Sequence, residues 1–148
     1  MALSQLQGAA LIPQMERLEA DTAYRFECAQ VMIAALAEVD WCRVSSRPLV
    51  PAQVPGYYKL GVQVSGGREM RDALVQQASA RGAEIGAGFR GFANRSSQRC
   101  RRIGDLSQAG QAGERTLVIH HRHLQGAPDE IRWFVDQLSA IAAELPRT

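Results

Sequence analysis

Apolar positions divide the chain into three helical stripes and four strand-like runs. Met15, Leu18, Thr22, Phe26, Ala29, Ile33 and Leu36 recur at three- and four-residue steps. That spacing predicts one apolar helix face from about Gln14 to Val39, about 38 Å long at 1.5 Å per residue. Leu3, Leu6, Ala9 and Ala10 continue the spacing upstream. Pro13 lacks an N–H and crowds the preceding turn, so a kink or break is expected there. Two readings of so long a helix stay open. It packs on a sheet along part of its length, or it bridges two domains.

Trp41 to Ser45 alternates and is rich in β-formers, which predicts a short strand. Arg47 to Gly56 holds Pro48, Pro51 and Pro55 and reads as loop. Tyr57 to Val64 is the clearest strand. Tyr58, Leu60, Val62 and Val64 fall on one face, and Tyr57, Lys59, Gly61 and Gln63 on the other. Arg68 to Arg81 is helical, with Met70, Leu74, Val75 and Ala78 on one side and Gly82 where a left-handed cap is wanted. Ala83 to Ile85 is a short strand candidate. Gln108 to Gly113 is small and polar and reads as a turn or linker. Thr116 to His121 is a strand. Pro128 opens a last helix, Asp129 and Glu130 suit its N-terminal dipole, and Pro146 ends it. One β-sheet layered on helices follows. The fold class is α/β of the α+β type: a long N-terminal helix plus a small, mostly antiparallel sheet packed against two further helices. The expected division is a helical arm over 1–40, kinked near 13, and a sheet-and-helix domain over 41–148.

The chain has 148 residues and a formal net charge of +2, which does not argue for nucleic acid. No apolar run approaches the ~20 residues that span a bilayer. No basic segment followed by an apolar core opens the chain, so no signal peptide is expected. Cys28, Cys42 and Cys100 are odd in number and far apart, which fits a reducing cytosol better than a disulfide framework. Cytoplasmic location is the expectation.

Charge is local. From Phe89 to Leu106 the chain carries Arg90, Arg95, Arg99, Arg101 and Arg102, with no acid before Asp105. The stretch has no clear period and reads as a long connection, the kind of segment that often carries function. Guanidinium forks match carboxylates and phosphates. A solvated loop and an anion contact both remain open. Cys100 alone among the cysteines has the cationic neighbours that lower a thiol pKa. Gly86 to Gly91 spells G-x-G-x-x-G, but no helix pattern follows it, so a glycine-rich turn is preferred to a dinucleotide site. His121 and His123 would share a strand face, yet no cysteine or carboxylate stands at a ligand spacing, and no metal site is assigned. No G-x-S-x-G elbow occurs.

Leu3 to Ala10 (LSQLQGAA), Gln14 to Glu19 (QMERLE) and Arg25 resemble the long helix of the DegT/DnrJ/StrS-type sugar aminotransferases. These are pyridoxal-phosphate enzymes of fold type I. Tyr58-Lys59-Leu60 and Arg68 to Gly82 resemble that family's first small-domain strand and helix. Phe89 to Phe92, Arg95-Ser96, Arg99 to Arg101, Gly104 to Leu106, Ala109 and Leu117 to His121 are similar to its C-terminal part. The resemblance implies the C-terminal, small-domain portion of such an enzyme. Lys59, the single lysine, does not match the family's Schiff-base lysine, which belongs to a large domain. Catalytic and cofactor-binding residues are therefore not assigned. No cofactor is expected to bind the chain alone, and pyridoxal phosphate is expected only with a complementing large domain. Arg90, Arg95 and Arg99 are the implied substrate contacts, toward a nucleotide-linked sugar. Implied partners are a large-domain chain or a second copy, with neither nucleic acid nor membrane. A non-catalytic binding module for an anion or nucleotide sugar and a structural, dimerising unit are the alternatives, so whether the chain is an enzyme stays open.

Overall fold

A computed structural model describes residues 4–44, 55–89, 96, 98 and 101–146. Among these, the elements in chain order are α1 (Gln5–Ala37), β1 (Cys42–Val44), β2 (Lys59–Val64), α2 (Gly67–Ala80), β3 (Ile85–Ala87), α3 (Ser107–Arg115), β4 (Thr116–His120), a 3-10 helix (His121–Leu124) and α4 (Pro128–Glu144). The strands form one antiparallel sheet in the order β1-β2-β4-β3. The fold is of the α+β type.

The sheet has a core face and an open face because its side chains alternate. Leu60, Val62, Val64, Leu117, Ile119 and Ile85 point into the core. There they meet Met32 and Leu36 of α1, Leu74 of α2, and Ile131, Leu138 and Ile141 of α4. The open face carries Lys59, Gly61, Gln63, Thr116, Val118 and His120. Trp41 joins the layers: its ring is buried, and its Nε1–H donates to Ser139 Oγ at 3.0 Å.

α1 does not break at Pro13. It runs unbroken through 33 residues, about 50 Å. Its start is fixed by a capping box: Ser4 Oγ accepts from Gln7 N–H, and Gln7 Oε1 accepts from Ser4 N–H. Only the second half of α1 packs into the core, through Cys28, Ala29, Met32 and Leu36. Upstream, Leu11, Met15 and Leu18 continue the same apolar stripe in the open.

Other boundaries shift for local reasons. α2 ends in a Schellman motif, with Gly82 at φ +85°, Ala83 N–H donating to the Ala78 carbonyl and Gly82 N–H to the Ser79 carbonyl. That cap uses Ala83, so β3 starts at Ile85, two residues later than expected. β4 stops at His120, and the chain tightens into the 3-10 helix. β2 starts at Lys59, not Tyr57.

The 108–113 stretch is helix rather than linker, part of α3. Asp105, just ahead of its N-terminus, accepts from Ser107 N–H at 2.9 Å and from Ser107 Oγ–H at 2.8 Å. These bonds, the one from the Ser107 hydroxyl first and then that from its N–H, hold the Asp105 carboxyl below the usual range. α2 then holds the helix by Arg71, whose Nη1 donates to the Gly113 carbonyl at 3.0 Å. No helix among the described residues is long and apolar enough to cross a membrane.

Candidate functional site

The most densely functionalised region lies where β2 begins and β4 ends. Lys59 and His120 are paired across these strands. Just before β2, Tyr57 adopts φ +38°, a left-handed conformation that costs a bulky residue of order 1–3 kcal/mol. Its ring is buried, 6.1 Å from that of Phe26. Arg25 of α1 secures this turn, donating from Nη1 to the Gly56 carbonyl at 3.0 Å.

With Tyr57 turned inward, Tyr58 is thrown outward and is 64% exposed. It does not join the buried face that simple alternation assigned to it. Its ring instead stacks on His121 at 5.1 Å and 23°, and meets His120 edge-on at 5.5 Å and 66°. The two imidazoles are 4.2 Å apart. Lys59 Nζ lies 5.7 Å from the centre of the Tyr58 ring, within cation–π range.

Glu84 is the acid of the cluster. It binds Arg122 at 2.6 Å and lies 3.6 Å from His120 Nδ1. Burial, then the charges of His120, Arg25 and Arg122, push the His121 pKa down, with Glu84 opposing. His121 is therefore neutral near pH 7. Arg25 Nε and the Nδ1 atoms of His120 and His121 are shielded from solvent with no hydrogen-bond partner among the described residues. Buried polar atoms are normally satisfied. Three such nitrogens, with Arg25, Lys59 and Arg122 set against Glu84, suit an oxygen-rich anionic group.

A cavity of about 550 Å³ adjoins the cluster along the open face and the β3 edge, with Lys59, Glu84, Val118 and His120 in its wall. Gly61, Val118 and Gly86 lie side by side across the three strands. Two missing side chains leave that row flat. The first two glycines of the G-x-G-x-x-G run, Gly86 and Gly88, serve packing here. Gly86 sits in β3, and a Cβ on Gly88 would come within 2.7 Å of Thr116 Cγ2. Gly88 N–H also donates to the Thr116 carbonyl at 2.9 Å.

The three histidines do not share a strand face. His121 stacks on Tyr58, while His123 stacks on Phe134 at 4.2 Å and 16°. Among the described residues, no group of three or more His, Cys, Asp or Glu is arranged to hold a metal. Cys28 is buried in α1, and burial pushes the Cys42 thiol up to about 12. The expected substrate contacts Arg90, Arg95 and Arg99, with Cys100, lie outside the described residues. Tyr58, Arg25 and Glu84 were not singled out by spacing. Arg25 meets Gly56 only after 31 residues of chain have folded back.

The chain matches no protein-family model and none of the curated proteins. Solved structures are similar to it over nearly its whole length. 3-Amino-5-hydroxybenzoic acid (AHBA) synthase superimposes with a TM-score of 0.81 at 19% identity, over 98% of this chain and 40% of that one. The aminotransferase TlmJ from Streptoalloteichus hindustanus gives 0.70 at 23%, over 88% and 34%. Spr1654 from Streptococcus pneumoniae, a proposed sugar aminotransferase in its PMP form, gives 0.69 at 11%, over 90% and 33%. This chain therefore has the fold of a portion of these proteins, as the sequence resemblance implied. It spans two fifths or less of their lengths.

Proposed function

We propose that the chain is an aminotransferase-like domain of the nucleotide-sugar (DegT/DnrJ/StrS) kind, catalytically incomplete by itself. The carrying observation is the likeness over 98% of this chain to only 40% of AHBA synthase. The uncovered apolar stripe of α1, with Leu11, Met15 and Leu18 exposed, supports a reading in which a large-domain partner or a second copy completes the unit. The described residues do not fit pyridoxal phosphate. Such a site needs a Schiff-base lysine, a partner for the pyridine nitrogen and a phosphate cradle. Lys59 is exposed at the edge of an open cavity, and the start of α2 lies beyond the far end of β2. When bound in a complete enzyme, the cofactor supplies the electron sink for amino transfer.

The test is direct. Purified protein incubated with pyridoxal phosphate and then desalted is expected to keep no visible-edge absorbance. It is also expected not to aminate keto-sugars with glutamate. Transamination by the chain alone would sink this reading.

A second reading is a non-catalytic module for a nucleotide sugar. The Arg25, Lys59 and Arg122 cluster favours it, with Arg90, Arg95 and Arg99 as further contacts. Calorimetric titration with UDP- and dTDP-sugars is expected to show binding that weakens in Arg95→Ala and Arg99→Ala. Affinity unchanged by both substitutions would remove it.

A further inference from the structure

A second cavity, of about 450 Å³, lies between the C-terminal end of α2, the 3-10 helix and α4. Tyr58, Lys59, His120 and His121 do not line it. Its floor is formed by buried core residues, among them Ala78, Ile131, Phe134 and Ile141. Trp133 stands at its edge, 62% exposed. An exposed tryptophan alone means little. Beside an apolar hollow of ligand size it offers a ring-sized face.

The charge on the lining is cationic. Arg81 and Arg122 stand against one acid, Glu130, whose Oε2 already accepts from Ala127 N–H at 2.9 Å. The acids that pair the arginines, Glu144 and Glu84, are not part of the lining. The Arg81–Glu144 pair is long, 3.6 Å, between well-exposed side chains. Such a pair contributes little in water, so the Arg81 guanidinium can turn to a bound anion at small cost. His123 adds a donor. Its Nε2 accepts from Glu84 N–H at 2.8 Å, which leaves the proton of the neutral ring on Nδ1.

The geometry points to a binding site for a small aromatic carboxylic acid, its ring against Trp133 and the α4 floor and its carboxylate on Arg81. This does not rest on the aminotransferase-like reading: Arg81 and Trp133, which carry the site, lie outside the Tyr58–His121 cluster, and Arg122 alone borders both.

The probe is 4-phenylbutyrate, titrated into the full chain by calorimetry and by tryptophan fluorescence. Trp41 is buried, so quenching reports Trp133. Saturable binding at one site is expected, with Kd about 0.1–1 mM. The uncharged analogue 4-phenylbutanol should bind on the order of tenfold more weakly. Arg81→Gln and Trp133→Ala, both at exposed positions, should each weaken the acid about fivefold or more with unchanged circular dichroism. The site is overturned by no saturation up to about 10 mM, by equal affinity for acid and alcohol, or by affinity that neither substitution changes.

Discussion

Glu84 N–H donates to Nε2 of His123 at 2.8 Å, and that bond decides which nitrogen of the ring carries its proton. A protonated His123 has no acceptor left, so the Glu84 amide would lose its partner. Burial against Phe134 acts in the same direction and is the main cause of the lowered His123 pKa. His121 is lowered too. In the unfolded chain both titrate near the ordinary value of about 6.5. Below that pH the unfolded state takes up protons the native state refuses, so stability falls. It is fully present above about pH 7.5 and declines as pH drops through about 6.5, before most carboxylates titrate. The urea midpoint should therefore decrease between pH 7.5 and 5.5 at constant m. His123→Gln, whose amide oxygen can still accept from Glu84, should flatten part of that slope. A midpoint that does not move over this range would contradict the account.

Cys42 shows what burial does to a thiol. Its thiol is pushed up to about 12 by desolvation, and the thiolate is the reactive form. Native protein treated with iodoacetamide at pH 8 should leave the Cys42 peptide unmodified by mass spectrometry. The same peptide should be fully alkylated in urea. Rapid native labelling of Cys42 would show that β1 opens readily or that the thiol is not so shielded.

The sequence made legible those elements whose local signals agree with the packing. α4 has a clean stripe, Pro128 at its first position and acids in its first turn, and α2 is closed by the predicted left-handed cap at Gly82. The β2 core residues Leu60, Val62 and Val64 alternate as read. What failed depends on tertiary structure. α3 holds Gly110 and Gly113, has no apolar residue larger than alanine and buries no side chain, so no apolar stripe marks it; Arg71 and the Asp105–Ser107 bonds hold it. Alternation was carried too far at Tyr58, because nothing local announces the left-handed Tyr57. Of the two readings of the long helix, packing along part of its length is what the structure shows, since its second half lies in the core and its first half stands clear. Of the candidate site, the sequence offered His120 and His121 as neighbours. Tyr58 and Arg25 entered only as residues of the family resemblance and Glu84 not at all, and the three come together only through folding.

Pro13 tests that division of α1. Without an N–H it leaves the Ala9 carbonyl without its usual helical donor, and a proline inside a helix costs about 3 kcal/mol relative to alanine. The first half of α1 is exposed and makes little contact with the core. Pro13→Ala should therefore slow amide exchange in residues 5–17 by about tenfold or more. The melting temperature of the domain should change by less than about 2 °C. A large rise in melting temperature would mean that the arm and the core unfold as one unit.

Arg71 is the buried charge on which the α2–α3–β4 corner depends. Its side chain is only 5% exposed. Nη1 donates to the carbonyls of Gly113 at 3.0 Å and Thr116 at 3.3 Å, and Nε donates to Asp72 at 2.6 Å. One planar fork thus ties the end of α3, the start of β4 and its own helix together. Removing it leaves the Gly113 carbonyl without that donor and the Thr116 carbonyl with Gly88 N–H alone, in a site that water reaches poorly. Arg71→Ala should cost about 2–4 kcal/mol, read as a fall of about 5–12 °C in melting temperature. Arg71→Lys should recover less than half of the loss, because a single ammonium cannot reproduce the spread of the guanidinium donors. α3 buries no side chain of its own, so its amides should lose exchange protection first in Arg71→Ala, ahead of those in α4. Equal loss across both helices would show that α3 is held by something other than Arg71.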